Sequence, residues 1–131
     1  MNKKNLRYQN VWIFIGCFMI AFVVFETLTS SPIKPGFKIS DKFMHIVGYF
    51  GMMGWFVQIF QKNRERLVLA IGFVILGIML EFIQGWGGVR QYEVADMLAN
   101  TTGVIAAWIL AKTRFSRILL AIELALFNKK R

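Results

Sequence analysis

The sequence predicts an all-α fold, a bundle of four transmembrane helices followed by a C-terminal amphipathic helix lying in the membrane interface. Three observations lead there. The 131 residues are 56% hydrophobic and 15% aromatic, more apolar surface than a soluble domain of this size can cover. Four apolar runs approach the length needed to cross a hydrocarbon core, with polar or basic connections between them. No strand pattern of the kind a barrel needs is present, so spanning segments must satisfy their backbone within helices.

The expected helices cover about 11–28, 43–60, 67–84 and 94–111, with the interfacial helix over about 114–128, in one membrane domain spanning 1–131. The first run, Val11 to Phe25 extended by Glu26 to Leu28, follows a basic start (Lys3, Lys4, Arg7) and has a small-residue exit at Thr27 to Ser31. That resembles a signal peptide, but the run is long for one and three more follow, so it is read as a retained helix. Pro32, Pro35 and Gly36 end it in a turn-rich loop. The second run is broken only by His45, Tyr49 and Gln58, the third by Glu81 and the fourth by Asp96 and Asn100. Gln61 to Arg66 reads as a short basic connection between an antiparallel helix pair. After the fourth run, Phe115, Ile118, Leu119, Ile122 and Leu126 repeat at helical spacing beside Arg114 and Arg117, the pattern of a helix on a leaflet rich in anionic lipid. A plain helical stop-transfer tail fits the same residues.

Charge sets the orientation. With the N-terminus inside, twelve of the sixteen Lys and Arg fall on the inner face, and only Lys34, Lys38, Lys42 and Arg90 fall outside. Both termini of this multi-pass membrane protein are therefore expected in the cytoplasm. The net charge of +9 does not point to nucleic acid, because the basic residues flank the apolar runs instead of forming one polar face. Cys17, the one cysteine, lies inside an apolar run and reads as packing.

This topology brings three polar groups to the outer end of the bundle. Asp41, His45 and Tyr49 share a stripe of the second helix, Glu81 and Gln84 a face of the third, and Glu93, Asp96, Asn100 and Gly103 a face of the fourth. Gly103 and Ala107 form a small-xxx-small pair suited to close helix approach. Taken singly, each has a structural reading: His45 as a cross-helix hydrogen bonder, Glu81 with Arg90 as an ion pair, Asp96 with Asn100 as polar glue. Together, ionisable groups pooled at one depth in a membrane read as a functional site.

Asp41-Lys42-xx-His45 resembles the opening motif of the VanZ-like membrane protein family, and Glu81-xx-Gln84, Arg90 and Asp96-xxx-Asn100-xx-Gly103 resemble its second motif. The chain departs from the family in having Gly88-Val89 where Pro-Gly often precedes the arginine. The resemblance covers the second to fourth helices and implies a small bacterial membrane protein. The family's namesake is associated with low-level resistance to teicoplanin, and a similarity of the family to enzymes that exchange lipid headgroups has been proposed.

Two functions suit these residues. In an enzyme acting on a lipid phosphoester, His45 would be general base or nucleophile and Asp41 would orient it. Glu81 and Asp96 complete the catalytic set. Arg90 would hold phosphate, with Lys42, Tyr49, Gln84, Glu93 and Asn100 binding the substrate. Asp41, Glu81 and Asp96 would also suit a divalent cation such as Mg or Mn better than zinc. In the alternative, the same cluster is a non-catalytic module that binds a lipid, a lipid-linked cell-wall precursor or the antibiotic. A proton-coupled transporter fits poorly, since no ionisable relay continues toward the cytoplasm. The expected partners are membrane lipids or a lipid-linked precursor, and a homo-oligomer is compatible with so small a bundle.

Overall fold

A computed structural model describes residues 6–29, 41–87 and 93–127, with the side chain of Asp41 outside that description. Among the described residues every regular element is helical. These are α1 (Gln9–Leu28), α2 (Asp41–Ile59), α3 (Asn63–Trp86), α4 (Val94–Leu110), a 3-10 turn over Arg114–Arg117, and α5 (Ile118–Phe127). By length and apolarity α1 and α3 can each cross a membrane, and α4 with the bent segment after it, at 81°, makes a third candidate.

Where apolar side chains point explains the difference in apolarity. Phe14, Phe18, Phe22 and Phe25 on α1, and Val68, Ile71, Ile75 and Met79 on α3, face outward. Exposed stripes of this extent suit lipid and would be a liability in water. By contrast α2 is wrapped by its neighbours, with Tyr49, Met52, Met53, Phe56 and Val57 buried. A helix sheathed by protein can hold Lys42, His45 and Gln58 at lower cost than one exposed to lipid. α2 packs most extensively on α4, where Gly103 replaces a side chain with direct contact to the Ile46 carbonyl, as the small-xxx-small pair predicts. Gly16 of α1 likewise makes room for the Phe56 ring. Beside it the Trp55 indole donates to the Trp12 carbonyl at 2.9 Å.

Two boundaries differ from expectation for physical reasons. α3 begins at Asn63, so the stretch read as a connection is mostly its first turn. Arg66 is the cause: it turns inward, 7% exposed. Its guanidinium donates to the carbonyls of Phe60 (2.9 Å), Val57 (2.8 Å) and Ala111 (3.1 Å) and to Gln61 Oε1 (2.8 Å). One side chain thereby serves carbonyls at the C-terminal ends of both α2 and α4, which have no intrahelical donors. The tail is also not one continuous helix. Thr113 Oγ1 accepts from Phe115 N at 3.2 Å and starts a 3-10 turn, and Gln58 Oε1 then receives the Leu119 N–H at 2.6 Å.

Glu123, the lone acid of α5, is 1% exposed. Its carboxylate accepts from the backbone N–H groups of Arg7 and Tyr8 and from the Trp12 indole at 2.7 Å. A carboxylate on the free N–H groups at the start of α1 has a favourable partner in the helix dipole. α5 is about 15 Å long from its residue count, too short to cross a bilayer, and it is fastened to α1 at the end of the bundle that holds Arg66.

Candidate functional site

At the other end, the start of α2, the end of α3 and the start of α4 come together. Lys42 bridges Glu93 and Asp96 of α4 through its ammonium group. A lysine in the first turn of α2 opposes that helix's dipole, while Glu93 at the N-cap and Asp96 in the first turn of α4 favour the dipole of α4. The bridge offsets the first with the second. One turn inward, His45 Nε2 lies 3.7 Å from Asp96 Oδ2. Glu81, 1% exposed, receives the Glu93 backbone N–H on Oε1 at 2.8 Å, which satisfies a donor at the start of α4. The cluster Lys42, His45, Glu81, Glu93 and Asp96 is thus a single contiguous group drawn from three helices.

A second tier lies beneath it. Tyr49, four residues beyond His45, and Asn100, four beyond Asp96, are both buried. They meet at Gly77, four residues before Glu81: a Cβ there would stand 3.1 Å from Asn100 Nδ2 and 3.5 Å from Tyr49 Cζ. Gln84 is buried too, but its amide nitrogen donates to the Thr27 carbonyl near the end of α1. That contact ties α3 to α1 at the edge of the site. Arg90 and the side chain of Asp41 lie outside the described residues. The carboxylate described beside His45 is that of Asp96. Among the described residues no three His, Cys, Asp or Glu side chains are grouped to hold a metal ion; the expected set of Asp41, Glu81 and Asp96 includes one side chain that is not described.

Periodicity placed Glu93, Asp96, Asn100 and Gly103 on one face; the last three are buried against the bundle, while Glu93, the N-cap of α4, is exposed. The pairing of Lys42 with α4 and the accommodation of Asn100 by Gly77 had no signal in the sequence, because both depend on how two helices are set in register.

The VanZ/LLP1 family model aligns with residues 3–120, most of the chain. The chain belongs to the VanZ/LLP1 family. No curated protein and no solved structure matches it. The family match extends beyond the motif-bearing helices to α1 and into α5. In this VanZ/LLP1 chain the motif residues sit at one end of the bundle and Arg66 and Glu123 at the other.

Proposed function

We propose that this VanZ/LLP1 chain is a multi-pass protein of the bacterial cytoplasmic membrane whose clustered end faces outward and acts on lipid headgroups or lipid-linked cell-wall precursors. The observation that supports it is the convergence of Lys42, His45, Glu81, Glu93 and Asp96 from three helices. A structural ion pair needs two groups, and an imidazole beside a carboxylate adds proton-transfer chemistry. In the reaction, His45 takes the proton of an attacking hydroxyl as its oxygen bonds to phosphorus. The ester P–O bond breaks, and the leaving oxygen receives a proton from the imidazolium. Asp96 stabilises that imidazolium, and Arg90 binds the phosphate oxygens. By this route the protein would alter the surface that teicoplanin meets.

A non-catalytic binding module is the second reading. It draws support from the 3.7 Å between His45 and Asp96, which is longer than a hydrogen bond.

Strains carrying His45→Gln, Arg90→Ala or Asp96→Asn test both, scored for teicoplanin susceptibility and for the composition of extracted lipids. Loss of the lipid change in His45→Gln supports catalysis; full function in that variant supports binding alone. Wild-type behaviour in all three, at normal expression, removes the site altogether. A reporter fused after Arg131 is expected in the cytoplasm.

A further inference from the structure

Among the described residues, the inner tier of the site has an acceptor that no donor meets. Asn100 is 3% exposed, and its Oδ1 has no hydrogen-bond partner among the described residues. A buried acceptor left unpaired is costly and is uncommon in a folded protein. Just above it lies the Glu81 carboxylate, whose described donor is one backbone N–H, although a carboxylate offers about four acceptor positions. Tyr49, the third member of the tier, has a phenolic oxygen that also accepts. Charge among the described residues points the same way: Glu81, Glu93 and Asp96 face the ammonium of Lys42, with His45 beside them.

We infer that this tier receives a primary ammonium group at the tip of a phospholipid headgroup. The inference rests on the headgroup-binding reading above and narrows it to one chemical class. A primary ammonium brings positive charge and three N–H donors, enough for acceptors presented separately by α2, α3 and α4. A hydroxyl brings one donor and no charge, and a quaternary ammonium brings charge with no N–H. With the ammonium inward, the phosphate of the same headgroup falls on the outer side, where the half-exposed Lys42 supplies a cation. An aminoethyl phosphodiester is therefore complementary to the site from tip to ester.

The test is calorimetric titration of the full chain, purified in maltoside detergent, with dihexanoyl phosphatidylethanolamine, phosphatidylcholine, phosphatidylglycerol and free ethanolamine. Phosphatidylethanolamine is expected to bind about tenfold tighter than either other lipid, the scale of one charge-assisted hydrogen bond. Asn100→Leu, checked for unchanged helical content, is expected to reduce that preference to about twofold or less. Equal binding of phosphatidylcholine or phosphatidylglycerol overturns the ammonium assignment while leaving a headgroup site in place. A full preference retained in Asn100→Leu also overturns it. Equal binding of free ethanolamine overturns the lipid as the source. Failure of every compound to bind removes the headgroup reading together with this one.

Discussion

Gly103 lies directly on the backbone of Ile46, so close that a Cβ at position 103 would stand 2.3 Å from the Ile46 carbonyl oxygen and 2.9 Å from Phe50 N. Backbone cannot rotate away as a side-chain tip can. Gly103→Ala is therefore expected to push α2 and α4 apart and to destabilise the bundle by about 1–3 kcal/mol, the usual range for overpacking. Gly48→Ala, where an added Cβ meets nothing, is the control on the facing helix. Thermal unfolding in detergent checks both, and equal melting temperatures for the two variants would refute the close contact.

Arg66 is expected to be the least replaceable residue at the opposite end. Removing it strands carbonyls of Phe60, Val57 and Ala111 in a buried setting. Each unsatisfied group costs about 1–3 kcal/mol, so Arg66→Met should lose several kcal/mol in total. Arg66→Lys should recover less than half of that, since an ammonium lacks the planar fork that reaches both helix ends at once. Denaturation in mixed SDS and mild detergent provides the measurement, with Arg64→Met as an exposed comparison.

These two residues show what the sequence made legible. Gly103 sits in a visible pattern, a small residue four before Ala107 on the face already marked by Asp96 and Asn100, and the structure uses it as that pattern predicts. Arg66 has a pattern that points elsewhere, because a basic residue in a polar connection reads as a cytoplasmic charge. Its burial follows from the carbonyls of two other helices, which no local spacing encodes. Glu123 is a similar case: a lone acid on an apolar decapeptide is conspicuous, yet its partners are more than a hundred residues away at Arg7, Tyr8 and Trp12. At the site itself, periodicity within each helix chose the faces correctly. It could not choose partners between helices, so the approach of the Asp96 carboxylate of α4 to His45 had no local signal.

The Glu123 clasp should be sensitive to acid. Burial works to raise this carboxyl, but the Trp12 indole, the Arg7 and Tyr8 amides and the nearby Arg7 charge outweigh it and hold the group below its ordinary value of 4.5. A folded-state pKa below the unfolded one gives stability that is present above the unfolded value and is lost as pH falls through the folded one. α5 should therefore stay docked at neutral pH and loosen from α1 only below about pH 4.5. Trp12 fluorescence reports the change, since its indole is a donor to the carboxylate. Glu123→Gln is expected to be loosened already at pH 7 and to lack the acid transition. An unchanged transition in that variant would assign it to another group.

Lys42 holds two carboxylates, and their burial should decide which pair matters. The Lys42 side chain is 39% exposed; its partner Glu93 is 51% exposed and its partner Asp96 only 8%. Solvent screening should leave the Lys42–Glu93 pair with a coupling of about 0–1 kcal/mol. The Lys42–Asp96 pair is better shielded and shares its carboxylate with His45 at 3.7 Å, so a double-mutant cycle on Lys42→Met and Asp96→Asn should give a larger value, about 1–2 kcal/mol. The same cycle with Glu93→Gln supplies the comparison, read from melting in detergent at low and high salt. Salt should erase the Glu93 coupling and spare most of the Asp96 coupling, because screening acts on exposed charge. Equal couplings, or equal sensitivity to salt, would mean that Asp96 is no better sheltered than Glu93. The imidazole would then lose the carboxylate on which its proposed role as a base depends.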